Sequence, residues 1–259
     1  MTRKIFSSFP ADILFEERSV HLPGQNPSEL AEKLQCYSTP ESVDEYSVYR
    51  LYPEETYLFT KYYKPGDRIL DHACGLGRTT LRLHEMGFLV KGLDASEFFV
   101  NIAKRRFPFL DLGVGSYDHI QAPDAAFAHV LISFNGIDHA FPEPQRITTL
   151  RECARVLKPG GTLIYSSHNI KSLHLFSPRH GRQPLWKLRN SPKAFKARAY
   201  VLEEGVRTFY ASPEFVVHQT ESAGFLFLEM VGFRMSRHNW ITRYYSPYIY
   251  YAFSRHPNL

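Results

Sequence analysis

The chain has 259 residues and a net charge of +5, with 44% of residues hydrophobic, 15% aromatic and 22% charged, a balance expected of one compact α/β domain with an appendage. No stretch of about 18 apolar residues is present, so no membrane span is predicted, and the N-terminus MTRKIFSSFPADILFEERS lacks the apolar centre of a signal peptide. The cysteines Cys36, Cys74 and Cys153 are odd in number and widely spaced, which excludes a disulfide framework or a zinc motif and makes a reducing cytoplasm the expected compartment.

Residues 1–60 form a predicted N-terminal helical cap segment, with helices at PSELAEKLQ and PEETYLFTKYY; residues 61–259 form the main domain. Tyr46, Tyr49 and Tyr52 recur every third residue beside Arg50. On a helix that spacing puts the three rings on one face; packing of that face onto the core is the plainer reading of the stripe. From residue 60 onward, short apolar runs alternate with helical stretches. RILDHA (68–73) is the first strand, and the helix after it runs to about Met86, where Gly87 stops it. FLVKGLD (88–94) is the second strand. SEFFVNIAKRRF opens on Ser96 as N-cap and ends in a basic turn that suits the helix dipole. FLDLGVG (109–115) and AHVLISF (128–134) are strands three and four, the fourth apolar enough for burial on both faces. PQRITTLRECARVL is helical, with Ile147, Leu150, Ala154 and Leu157 on one face; Pro159 ends it, and Gly160–Gly161 turn the chain into a fifth strand, GTLIYSSH.

Residues 169–211 are a predicted insertion, too long for an ordinary loop and of the length of a lid or binding loop. It overlaps a run from Cys153 to Leu202 that holds no Asp or Glu but ten bases: Arg155, Lys158, Lys171, Arg179, Arg182, Lys187, Arg189, Lys193, Lys196 and Arg198. Such a run attracts phosphates, carboxylates or an anionic surface; a solvated loop is the alternative. A helix at 213–223, a strand at 225–233 and a strand around YIYYAF complete the chain.

Strands alternating with helices imply βαβ units around a parallel sheet, with the ligand at the carboxyl ends of the strands. DHACGLGRTT (71–80) occupies the first such corner. Gly75 and Gly77 allow a ligand to approach the turn without meeting a Cβ, and the following helix offers free N–H groups. Asp94, ending the second strand, is a carboxylate able to accept both hydroxyls of a ribose. A dinucleotide site needs a further glycine where this chain has Thr80.

ILDHACGLGRTT, VKGLDAS, LISFNGIDHAF and RECARVLKPGG, in this order and at these spacings, resemble the class I S-adenosylmethionine-dependent methyltransferases over about residues 65–168. The resemblance implies a Rossmann-like, doubly wound, mostly parallel seven-stranded sheet with one antiparallel strand near the C-terminus, and S-adenosyl-L-methionine as cofactor. It implies that Asp71 fixes the turn and receives the methionine amino group, that Ala73, Gly75 and Gly77 line the methionine arm, and that Asp94, with Ala95 beside it, binds the ribose. Ser116 and Tyr117 fall where the adenine is read; Ser133, Phe134 and Asn135 border the sulfur. A tyrosine of the stripe, such as Tyr49, would lie over the sulfonium and Arg50 would pair with the methionine carboxylate. Ala73 replaces the family's first glycine, Ser116 its adenine-reading Asp, and Ala128 a frequent Asp of a structural kind. His72 and Cys74 are expected to point away from the ligand.

Methyl transfer needs alignment and, for some acceptors, a base. The base candidates are His139 and His168, with Asp138, at the ends of strands four and five; for each histidine a structural role is the competing reading. SFNGIDHA and SSHN also resemble a group of small-molecule methyltransferases whose substrates are generally unassigned. A small, polar or anionic metabolite is the expected substrate, with no membrane partner. A nucleic-acid methyltransferase is the second reading, since the basic run could track phosphates, although SFNG lacks the Asn/Asp-Pro-Pro-aromatic signature of enzymes that methylate nucleobase amines. A non-catalytic nucleoside-binding or protein-interaction domain is the third.

Overall fold

The computed structural model describes residues 38–172, 198–203, 206–232, 235–237 and 239–257; the helix predicted at PSELAEKLQ and most of the basic run lie outside them. In chain order the elements are α1 (Pro40–Tyr46), α2 (Pro53–Tyr62), β1 (Arg68–His72), α3 (Arg78–Glu85), β2 (Leu89–Asp94), α4 (Glu97–Arg106), β3 (Asp111–Val114), β4 (Phe127–Ile132), a 3-10 turn (Gly136–His139), α5 (Glu143–Val156), β5 (Leu157–Asn169), β6 (Arg198–Glu203), β7 (Val206–Ala211), α6 (Pro213–Ser222), β8 (Phe225–Gly232), α7 (Asn239–Tyr245) and β9 (Tyr248–Arg255).

Side chains alternate across the central strands, and each face buries its own set. Leu70, Val130, Ile132, Leu163, Tyr165 and Phe253 share one core. Ile69, Leu131, Ile164, Tyr250 and Ala252 share the other, which Leu58 and Phe59 of α2 complete. Helix α2 thus packs directly on the sheet, across the boundary predicted at residue 60. Helices α1 and α7 are seven residues each, too short for apolar periodicity to reveal. What starts α1 is a capping box, in which the Ser42 N–H donates to Thr39 Oγ1 and the Thr39 N–H donates to Ser42 Oγ.

The tyrosine stripe does not form a helix face. Helix α1 ends at Tyr46 and α2 opens at Pro53, whose ring favours extended backbone at Tyr52 (φ −77°, ψ 153°). The strand order β3-β2-β1-β4-β5 is parallel. Strand β9 runs antiparallel beside β5, and β8 flanks β9, which gives the expected seven strands with one reversed. The region expected as an insertion adds more: β6 and β7 form an antiparallel hairpin, and β7 pairs with the tip of β5 at His168↔Tyr210 and Asn169↔Ala211. The sheet therefore has nine strands among the described residues. No helix among those residues is long and apolar enough to cross a membrane.

Candidate functional site

The chain direction of strand addition reverses at β1, so the carboxyl ends of β1 and β4 open on one crevice. A cavity of about 220 Å³ fills it, walled by the loops after β1, β2 and β4 and closed by Tyr46, Val48, Arg50 and Tyr52.

The loop after β1 is built on left-handed backbone, with φ of 65° at Ala73, 54° at Gly75 and 82° at Gly77. The Gly75 N–H donates to Asp94 Oδ2 at 2.7 Å, and the Ser96 N–H donates to Asp94 Oδ1 at 2.8 Å. Each oxygen keeps a lone pair for a further donor, and Asp94 lies half-buried on the cavity wall beside Ala95. Burial raises its pKa against the pull of the two amide hydrogen bonds. Gly77 caps α3 and faces away from the cavity: a Cβ there would meet Ala103 and Leu110 at 3.9 Å, so its φ is what calls for glycine.

Ala73 borders the cavity, but its methyl group is directed at Gly136, where a Cβ would lie only 2.8 Å from it. The methyl gained at 73 occupies space left by the glycine at 136. Gly136→Ala should therefore cost about 1–3 kcal/mol by overpacking, and Ala73→Gly in the same chain should recover most of it. Thermal melts of the four-member cycle check this; additive effects would refute the contact.

Asp71 is fully buried. Its Oδ2 accepts from the Thr79 and Thr80 hydroxyls, each at 2.6 Å, and so ties β1 to α3. Its Oδ1 has no partner among the described residues. Burial lifts the carboxyl to about 6, against the two threonine hydrogen bonds. Between the unfolded value of 3.8 and about 6 the folded chain holds a proton that the unfolded chain has lost, so this group's contribution to stability falls as pH rises through that window. Asp71→Asn, which keeps an oxygen for both threonines, is expected to flatten that part of the stability–pH curve in urea melts; a curve of unchanged slope contradicts it.

After β3, the Ser116 hydroxyl donates to Asp118, and Asp118 also accepts from Gln145 Nε2 at 3.3 Å. Tyr117 reaches the cavity; Ser116 does not. His72 is buried with Nε2 at 3.2 Å from the Tyr117 carbonyl, and burial lowers its pKa to about 4, so it is neutral and an Nε2–H donor. Cys74, expected to turn away, lines the cavity instead, and burial holds it as a thiol.

The loop after β4 is strained. Phe134 and Asn135 have φ of 50° and 60°, conformations that cost a non-glycine residue about 1–2 kcal/mol each. The strain presents Phe134 to the cavity, stacked on Tyr52 at 6.0 Å and edge-on to Tyr46 at 5.7 Å. Ser133 and His139 also line the cavity, whereas Asn135 lies just behind it, its N–H donating to Ser166 Oγ. Tyr49 is turned off the wall, packing on Phe107 and accepting from Arg106 at its hydroxyl.

Behind the wall, Asp138 is fully buried and takes four hydrogen bonds. Oδ1 accepts from Arg146 Nη1 at 2.8 Å and the Ser167 hydroxyl at 2.7 Å; Oδ2 accepts from the His168 N–H at 2.7 Å and His168 Nδ1 at 2.9 Å. Burial pushes its pKa up, but the His168 hydrogen bond and the Arg146 charge outweigh burial and the net shift is downward. A carboxylate only accepts, so His168 carries a hydrogen on Nδ1, and its Nε2 lies 3.4 Å from Asn135 Nδ2. Arg146 is itself fully buried, donating also to the Ile137 carbonyl and Gln219 Oε1.

Sequence reasoning missed Arg78 and Glu55. Arg78 lines the cavity and forms a bidentate pair with Glu55 at 2.6 and 2.7 Å. Arg78 follows GLG directly, which was the available signal; Glu55 in PEET has none. Of the basic run, Arg155 pairs with Glu152 and Asp124, and Lys171 with Glu214.

The sheet order, the glycine-bearing loop and the carboxylate ending β2 resemble those of the class I S-adenosylmethionine-dependent methyltransferases. More narrowly, residues 69–161 match the family model of the methyltransferase domain. The chain is 32% identical over 108 residues to the ubiquinone biosynthesis O-methyltransferase of Coxiella burnetii, covering 40% of this chain and 44% of that protein. It is 31% identical over 151 residues to the demethylmenaquinone methyltransferase of Beutenbergia cavernae, covering 56% of this chain and 60% of that one. It thus spans about half the length of the curated relatives it matches. The solved CcbJ methyltransferase of Streptomyces caelestis shares the fold, with a TM-score of 0.64 at 17% identity over 87% of this chain and 99% of that one. Family and fold imply S-adenosylmethionine as cofactor. The residues present fit it: the cavity meets Gly75 without a Cβ, and Asp94 retains accepting lone pairs at the wall.

Proposed function

We propose that the chain transfers a methyl group from S-adenosylmethionine to an oxygen or nitrogen of a small polar or anionic metabolite. The observation that carries this reading is the meeting, across one cavity, of Gly75 and Asp94 with Ser133, Phe134 and His139, backed by the Asp138–His168 pair. The cofactor, when bound, supplies an electrophilic methyl group on a positively charged sulfur. The chain's part is binding, alignment and proton acceptance. Asp94 takes the ribose hydroxyls, Ala73 and Gly75 the methionine arm, and Arg50 the methionine carboxylate. Asp71 Oδ1, buried and off the cavity wall, reaches the amino group through water, and Tyr117 flanks the adenine. Asp138 fixes the His168 tautomer, which leaves Nε2 to take the proton of an acceptor hydroxyl or ammonium; His139, on the wall itself, is the other proton acceptor.

Relatives named for ubiquinone and menaquinone chemistry support a small-molecule acceptor. The buried free thiols Cys74 and Cys153 support a reducing, cytoplasmic location.

Thermal melts with S-adenosylmethionine, S-adenosylhomocysteine and NADH test the reading. Stabilisation by the first two alone supports it, and stabilisation by NADH alone, or by none, rejects it. Release of S-adenosylhomocysteine in the presence of a panel of phenols, carboxylates and amines then identifies the acceptor class. A salt-sensitive shift with RNA in place of any small acceptor would favour the nucleic-acid reading.

A further inference from the structure

Arg78 opens α3, at the end of a helix where the dipole disfavours a cation, on the wall of a cavity meant for a sulfonium. Glu55 answers it. Its side chain is completely buried, and it accepts five hydrogen bonds. Two come from Arg78, Nη2 to Oε1 at 2.6 Å and Nη1 to Oε2 at 2.7 Å. The others come from the Tyr52 N–H at 2.8 Å, the Ser133 hydroxyl and the Tyr250 hydroxyl at 3.4 Å. Arg78 also donates to the Arg50 carbonyl and to Ser133 Oγ, both at 2.8 Å. Its guanidinium lies 5.1 Å from the Tyr52 ring and 5.9 Å from that of Phe134. One ion pair therefore touches the segment closing the cavity, the helix after the glycine loop and the loop after β4.

We infer that the Glu55–Arg78 pair is a positioning device that fastens residues 50–52 over the cavity and keeps its methyl-transfer side electrically neutral. The inference rests on the cofactor reading above. The cofactor is a sulfonium before transfer and an uncharged thioether after it. A neutral wall admits both; an unbalanced guanidinium repels the first and leaves the second alone. One uncompensated charge beside a cation in a shared cavity changes its affinity on the order of tenfold. Glu55 is the side chain that prevents this, and the same carboxylate holds Tyr52 and Ser133 in place.

Calorimetric titration of the full chain with S-adenosylmethionine and with S-adenosylhomocysteine separates charge from scaffolding. Glu55→Gln should weaken binding of the sulfonium relative to the thioether by about tenfold. Glu55→Gln combined with Arg78→Met removes both charges and should return the ratio to that of the wild type, even where both affinities drop. Arg78→Lys keeps the charge without the fork, so the ratio should hold while amide exchange at residues 50–52 rises in the cofactor-free protein. If Glu55→Gln lowers both affinities equally, the pair is a structural tie only and the inference is overturned. If it does not fold, the double variant and Arg78→Lys decide: a ratio that moves in either overturns the inference. Wild-type protein that binds neither compound removes the cofactor reading as well, whereas binding of both with an unmoved Glu55→Gln ratio removes the inference alone.

Discussion

Asp94→Ala is expected to weaken S-adenosylhomocysteine binding by about 100-fold or more, since two charge-assisted hydrogen bonds to a ribose are worth about 3 kcal/mol together. The fold should survive. Helix α4 keeps its cap, because the Phe99 N–H still donates to Ser96 Oγ, and the loss is confined to the acceptors of Gly75 and Ser96. A melting midpoint within a few degrees of wild type, with calorimetric binding lost, is the combined result. Binding at wild-type affinity removes Asp94 from the ribose site. The raised pKa of Asp94 adds a pH signature: acidification protonates it before ordinary surface aspartates, so affinity for the nucleoside should fall early on the acid side.

Arg146→Met should be among the most destabilising single changes in the chain. It strips a fully buried carboxylate of its cation and leaves Gln219 and the Ile137 carbonyl without their donor. Breaking a buried pair on one side costs about 3–5 kcal/mol, which in a chain of this size lowers Tm by roughly 10 °C. His168 should lose its fixed orientation in any fraction that remains folded, visible as a shift of its imidazole nitrogen resonances. A Tm within about 2 °C of wild type would show that the network is dispensable.

What the sequence disclosed was local. Ser96 caps α4 as its position before an apolar run suggests, β1 ends at His72, one residue before the predicted Ala73, and β2 ends at Asp94 as predicted. Each follows from neighbours within a few residues. The buried charges were hidden because their partners are distant or their helices look ordinary. Glu55 and Arg78 lie 23 residues apart, and Arg146 and Gln219 lie 73 apart. A charged residue in an amphipathic helix carries no mark that separates a buried pair from a solvated face. The hairpin β6–β7 was masked by the basic composition around it. At Gly77 the glycine was legible but its reason was not: the residue serves a left-handed cap and not a ligand contact.

The methyl exchange between Ala73 and Gly136 has an evolutionary corollary. In relatives that retain the family's glycine at the first position, the counterpart of Gly136 is released to carry a side chain; in those with alanine there, it is not. The two columns of a family alignment should therefore vary together, and chains bearing a β-carbon at both should be missing.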